Sequence, residues 1–307
     1  MSKELWVEKY RPKTVDGYVF RDAHQRKQVT TWIKDKSIPH LLLSGAAGIG
    51  KTTMAKMLVN ELGIEDYDVL EINASRTNSV EDVRDKITNF VSMIPFGPFK
   101  VVLLDEADYL SPNAQAALRG VMEEYHSTAR FILTCNYPNR IIPAIHSRCQ
   151  GFHIERVDQT DFTSRVAVIL VEEGVEFELD DLDTFVKATY PDLRKCINMV
   201  QQHVESGKLH PPSDGADGVA DWKIDMVDLF KKGKIIEARR LVCGKARPEE
   251  IEDIYRWMYD NLELFGADDE TKDTAVLIIK QGLVDHALIA DPEINLAATL
   301  IKLARLQ

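Results

Sequence analysis

The chain has 307 residues, too many for one small core and enough for two or three domains. With 45% hydrophobic and 8% aromatic residues and no apolar run of membrane-spanning length, it reads as a globular protein of the cytoplasm. The net charge of −11 weighs against nucleic acid, but residues 1–150 hold 19 Lys+Arg against 18 Asp+Glu (19 − 18 = +1) and the rest 19 against 31 (−12), so the first half can still gather basic patches.

In chain order, the start Met1-Ser2-Lys3-Glu4 has no apolar stretch like that of a signal peptide. His40 to Ser44 reads as a buried strand, followed by a glycine-rich turn and a helix from Lys51 to about Leu62. Val69 to Ile72 is a second strand, and Val80 to about Val91 a helix. Val101 to Leu104 is an apolar strand ending in acids. Pro112 to Tyr125 reads as a helix with Ser111 as N-cap, and Phe131 to Cys135 as another strand. Strands alternating with helices imply a parallel α/β sheet with helices on both faces.

After about Gly151 the pattern turns helical: Asp161 to Glu173, Leu179 to Thr189, and Pro191 to about Glu205, with no interior strand. Ser206 to Gly218, dense in Gly, Pro and Asp, reads as a linker. From Trp222 the chain is helical again, ending in a helix from about Glu293 to Leu306. The four cysteines, Cys135, Cys149, Cys196 and Cys243, form no CxxC pair and are expected as free thiols. The eight histidines show no metal spacing.

Gly45-Ala46-Ala47-Gly48-Ile49-Gly50-Lys51-Thr52 matches GxxxxGK[ST]. Its glycines let backbone N–H groups face phosphate oxygens, Lys51 supplies charge to the β/γ-phosphates, and the Thr52 hydroxyl suits Mg²⁺. The helix that follows adds its positive end. Asp105, at the end of its strand, suits the same metal, and Glu106 beside it can polarise an attacking water, which points to hydrolysis. Asn136 closes another strand, and would reach the γ-phosphate if that strand lies between the first two. Arg148 is either a finger for a neighbouring subunit's ATP or a surface arginine. Arg194 can reach the phosphates or pair with Asp192 or a nearby acid.

Assembled, these residues resemble the sliding-clamp loader ATPase subunits of the AAA+ class, the replication factor C small subunits and the large subunit of T4-type phage loaders. The resemblance spans residues 4–205 and, more loosely, the helical C-terminus. It rests on Trp6-Val7-Glu8-Lys9-Tyr10-Arg11-Pro12, Ile38-Pro39-His40-Leu41, Glu71-Ile72-Asn73-Ala74-Ser75, Asp105-Glu106-Ala107-Asp108, Ala114-Gln115, Ala117-Leu118-Arg119 with Met122-Glu123, Thr134-Cys135-Asn136 and Ser147-Arg148-Cys149.

The resemblance implies an AAA+ domain over 1–150, a helical lid over 151–208 and a helical collar over 222–307. It implies that Lys51 and Thr52 hold phosphate, that Thr52 and Asp105 hold Mg²⁺, and that Glu106 is the base. Asn136 and Arg194 become the two sensors and Arg148 a finger given in trans. Val7, Glu8, Lys9, Tyr10 and Val19 line the adenine pocket, with Gly48, Ile49, Gly50 and Thr53 completing the nucleotide site. Asn73 restrains the glutamate until DNA arrives. Arg76, Arg84 and Arg119 become DNA phosphate contacts, and Met93 to Phe96 a clamp-facing loop. The implied partners are other subunits in a hetero-oligomeric pentamer with several copies of this chain, a sliding clamp and primer-template DNA, with no membrane. The short collar and the resemblance to the phage subunit lean toward a virus, with an archaeal source also open. Gly120 replaces a second arginine, Ala46-Ala47 replaces Pro-Pro, and a cysteine-rich zinc insertion is missing. The alternatives are another AAA+ DNA machine, such as a helicase loader or branch-migration motor, and a scaffold that binds ATP only to assemble.

Overall fold

Five strands build one parallel sheet: β1 (Leu41–Ser44), β2 (Val69–Asn73), β3 (Lys100–Asp105), β4 (Ala129–Cys135) and β5 (Gln150–His153), in the spatial order β2-β3-β4-β1-β5. The structure is a computed structural model and describes residues 4–76, 80–210, 222–245, 250–266, 268–286, 288–289 and 291–306. By contacts these form two compact units, residues 1–169 with 190–201, and residues 170–189 with 202–307. The 151–208 segment expected as a separate lid is thus shared between the two units.

In the first unit the strands read as continuous apolar runs because both sheet faces are covered. Leu41, Leu43, Val101, Leu103 and Ile132 join one core with Val29 of α2 (Ala23–Lys34) and Met54, Ala55 and Leu58 of α3 (Lys51–Glu61). The alternate residues Leu42, Val102, Leu104, Phe131 and Leu133 join the other. There they meet Ile87 and Val91 of α4 (Val80–Val91), Leu118 and Met122 of α5 (Pro112–Glu124) and Ile145 of α6 (Pro143–His146). The period of two along each strand sorts the side chains between the layers. α1 (Trp6–Lys9), part of α7 (Gln159–Glu172) and α9 (Leu193–Gln202) also belong to this unit.

β4 lies between β3 and β1, with Leu104 opposite Leu133 and Ser44 opposite Cys135. Ser111 caps α5, its hydroxyl accepting from Ala114 N at 3.2 Å. β5 pairs with β1 at the sheet edge, where the sequence predicts only helix after about Gly151. Its one buried residue, Phe152, gives no apolar run to read.

The second unit holds α8 (Leu179–Thr189), a hairpin of β6 (Val204–Glu205) and β7 (Lys208–Leu209), and α10 (Trp222–Lys231), α11 (Ile235–Lys245), α12 (Ile251–Asp260), α13 (Asp269–His286) and α14 (Pro292–Ala304). The hairpin replaces the start of the expected linker, and α9 stops at Gln202 rather than Glu205. Its turn residues Ser206 (φ 51°) and Gly207 (φ 81°) both take the left-handed conformation that a two-residue hairpin loop needs. The linker reading for 211–218 lies outside the described residues. Phe230, Tyr255, Met258, Phe265 and Leu300 centre the helical core, where Asn295 Nδ2 donates to Gly282 O at 2.7 Å and to Tyr255 Oη at 2.8 Å.

Candidate nucleotide site

The strand order brings three chain ends to one edge of the sheet: the loop after β1, the acids after β3 and Asn136 after β4. In the loop Gly45 (φ 149°), Gly48 (φ 74°) and Gly50 (φ 98°) all have backbone conformations that a side chain resists. A Cβ on Gly48 would run into the Asp192 carboxylate, and one on Gly50 would meet Tyr18 Oη at 3.1 Å. Lys51 is buried at the first turn of α3, its ammonium donating to Gly45 O at 3.0 Å and Ala46 O at 2.5 Å. Burial lowers its pKa, an effect opposed by the carboxylates of Asp105 and Asp108.

Asp105 Oδ1 accepts from Thr52 Oγ1 at 2.7 Å and Thr134 Oγ1 at 2.6 Å. The Thr134 hydroxyl in turn accepts from Glu106 N at 3.0 Å. Glu106 is left-handed (φ 57°, ψ 43°), a conformation that costs a non-glycine residue about 1–2 kcal/mol. The Thr134 bond holds it there, and its side chain lines the same cleft as Lys51, Thr52, Asp105, Asn136 and Arg194. The strand end carrying Asn136 is fixed by buried Asp108, whose Oδ2 accepts from Asn136 N at 3.1 Å and Tyr137 N at 3.0 Å. Thr134 and Asp108 are positioning residues that single positions in the sequence do not announce: one opens Thr134-Cys135-Asn136, the other is the last acid of Asp105-Glu106-Ala107-Asp108.

A second, mostly apolar cavity adjoins the glycine loop, lined by Val7, Tyr10, Val19, Ile49 and Thr53. Val7 and Tyr10 are three residues apart and share a helical face, whereas the side chains of Glu8 and Lys9 do not line it. Glu8 instead pairs with Arg11 at 2.5 Å, and the Lys9 ammonium lies 5.1 Å from the Tyr10 ring centre. Tyr18, Phe162 and Arg165 also line this cavity and carry no motif to mark them. Arg165 Nη2 donates to Tyr10 O at 2.9 Å, which fixes the end of α1.

Arg194 is exposed, has no protein partner among the described residues, and lines both cavities. Asp192 does not pair with it: its carboxylate caps α9, accepting from Lys195 N at 3.0 Å. Asn73 does not bond Glu106 either; its Oδ1 accepts from Ser75 N at 2.9 Å and Ser75 Oγ at 2.6 Å. Arg148 lines neither cavity. It lies just beyond α6, bonded to Glu123 of α5 and to Ala144 O at 2.8 Å. Buried Gln115 ties the loop before α6 to α5, accepting from Ile142 N at 2.8 Å and donating to Arg140 O at 3.1 Å.

Arg76, Arg84 and Arg119 are exposed, and Arg84 pairs with its neighbour Asp85 at 3.1 Å. The loop after α4 exposes Met93 (60%), Ile94 (88%) and Phe96 (82%). It is anchored beneath by Asp68, whose carboxylate accepts from Phe96 N at 2.9 Å and Gly97 N at 2.7 Å. The four cysteines are unbridged, and burial pushes Cys135 up to about 11 and Cys149 up to about 12, so both stay thiols. Among the described residues no helix is long and apolar enough to cross a membrane.

Residues 41–156 match the family described as ATPase family associated with various cellular activities (AAA). The chain is 38% identical over 317 residues to the replication factor C small subunit of Sulfurisphaera tokodaii, covering 98% of this chain and 95% of the relative. It is 33% identical over 322 residues to that of Methanococcus vannielii, covering 98% and 99%. Solved structures of two RuvB variants from Thermotoga maritima are similar at TM-scores of 0.57 and 0.58 with 15% identity, covering 80% and 81% of each chain. That likeness carries the fold alone.

Proposed function

The chain belongs to the replication factor C small subunit family, and we propose from its site how it works as the ATP-hydrolysing subunit of a sliding-clamp loader in DNA replication. The observation that carries the assignment is the convergence of Lys51, Thr52, Asp105, Glu106 and Asn136 on one cleft, with Arg148 outside it. A complete site then takes its arginine from a neighbouring subunit.

Lys51 binds the β/γ-phosphates and exchanges its two carbonyl partners for phosphate oxygens. Thr52 and Asp105 fit Mg²⁺: both offer oxygen, and only one carboxylate oxygen of Asp105 is engaged in the protein. The metal, when bound, neutralises charge on the phosphates. Glu106 accepts the proton of the attacking water while Asn136 orients it. The apolar cavity takes the base, gripped by Val7 and Tyr10. Arg194, unpaired, reaches the phosphates from the α9 side.

Arg148 of one subunit stabilises the charge that develops at the next subunit's ATP. ATP shifts the assembly toward the clamp-gripping form by binding that form preferentially, and hydrolysis lets it relax. Arg76, Arg84 and Arg119 give sequence-independent contacts to DNA phosphates. Met93, Ile94 and Phe96 form a surface for the clamp, and the helices from 222 on hold neighbouring subunits in a hetero-pentamer. The relatives described above are archaeal, and what favours a viral source is the short collar together with the likeness to the phage subunit.

The test is Arg148→Ala in the assembled loader. ATP binding should stay and DNA-stimulated turnover should fall by about 10³-fold or more. Loss of ATP binding instead would place Arg148 in its own subunit's site and overturn the assignment.

A further inference from the structure

Arg148 does not hang free. Its Nη2 donates to Glu123 Oε1, and its Nη1 donates to Ala144 O at 2.8 Å and Ser147 Oγ at 3.1 Å. One side of the guanidinium is thus held by three oxygens, from a helix, a backbone turn and a neighbouring hydroxyl. The remaining donors of the five-donor fork carry no bond among the described residues.

Glu123 has a second cation within reach. Arg119 lies four residues earlier on the same face of α5 and is exposed without a partner among the described residues. Arginine before glutamate is the weaker order for an i, i+4 pair on a helix. Glu123 is accordingly bonded to Arg148 across to the next element, not to Arg119 along its own.

The pair contributes little to the fold. Its side chains are 31% and 48% exposed, and solvent screens ion pairs at such positions. What it does supply is direction. An arginine with many rotamers is held in one orientation by these bonds.

Resting on the trans role of Arg148 proposed above, we infer that Glu123 is the positioning carboxylate of the finger, setting the guanidinium before the neighbouring subunit's ATP arrives. Positioning residues of this kind act through the rate: a misplacement of about 1 Å at a reacting centre can lower turnover 10²-fold.

The experiment compares Glu123→Ala, Glu123→Gln, Glu123→Asp, Arg148→Ala and the Glu123→Ala/Arg148→Ala double variant in the assembled loader. ATP affinity, DNA-stimulated kcat and KM, and melting temperature are read for each. Glu123→Ala and Glu123→Gln should lower kcat by about 10- to 100-fold with KM, ATP affinity and melting unchanged. Glu123→Asp should recover part of the rate, because a shorter carboxylate still reaches the fork. The double variant should be no slower than Arg148→Ala alone, since both act on one group. Wild-type or raised kcat in Glu123→Ala, with Arg148→Ala inactive, overturns the positioning role and leaves the trans role standing. Full stimulated kcat in Arg148→Ala overturns the trans role and this inference together.

Discussion

Thr52 Oγ1 donates to Asp105 Oδ1 at 2.7 Å, which ties the first turn of α3 to the end of β3. The two residues are far apart in sequence and on elements that do not neighbour each other in the chain. Their bond sets the spacing of the oxygens assigned to Mg²⁺. Thr134 bonds the same carboxylate oxygen at 2.6 Å, so the Asp105 side chain has one orientation.

Thr52→Val keeps the shape and removes the hydroxyl. A hydrogen bond to a charged group contributes about 1.5–3 kcal/mol, so Mg²⁺-dependent turnover should fall roughly 10- to 100-fold. Steady-state hydrolysis across a Mg²⁺ titration checks this. An unchanged rate at every Mg²⁺ concentration would remove Thr52 from the metal site.

Gly48→Ala puts a side chain on a left-handed residue and drives its Cβ toward the Asp192 carboxylate. The backbone strain alone is about 1–2 kcal/mol. ATP affinity should weaken by about 5- to 30-fold as the loop and the start of α9 shift, while the melting temperature moves by only a few degrees. Equilibrium nucleotide binding and thermal melting measure the two effects separately.

His40 predicts a pH dependence of stability. Burial chiefly, with Arg130 and His126 adding to it, lowers its pKa from 6.5 to about 4. Its Nδ1 accepts from Phe131 N at 3.2 Å, which requires that nitrogen unprotonated. The unfolded chain therefore binds a proton that the folded chain does not between about pH 6.5 and 4. The contribution is fully present above pH 6.5 and is lost as pH falls through that window. Denaturant midpoints from pH 7 to 4.5 should drop less steeply in His40→Gln than in the wild type.

The sheet was legible because its central strands are buried on both faces and written as apolar runs, while turns such as Gly45 to Gly50 punctuate them. The phosphate loop and the acids after β3 were legible for the same reason: each motif begins where a run ends. β5 was not, because an edge strand with one buried side chain shows neither a run nor an alternation. The hairpin at 204–209 is hidden because its first strand falls at the end of the helix expected to about Glu205 and its Ser-Gly turn shares the composition of a linker. Tyr18, Phe162 and Arg165 reach the apolar cavity through tertiary placement, which no local pattern carries. The motif groups Glu8 and Lys9 with the pocket, yet of residues 7–10 only Val7 and Tyr10 line it. The alternative for Arg194, pairing with Asp192, fell to a helix cap: Asp192 is spent on Lys195 N.

Under the function proposed above, a clamp and DNA together drive this ATP site. The most direct measurement is the ATP hydrolysis rate of the assembled loader with primed DNA, with and without its sliding clamp. The isolated chain should turn over slowly, faster with primed DNA, and faster again when the clamp is added, as a clamp-driven site requires. A DNA-stimulated rate that the clamp leaves unchanged would contradict it.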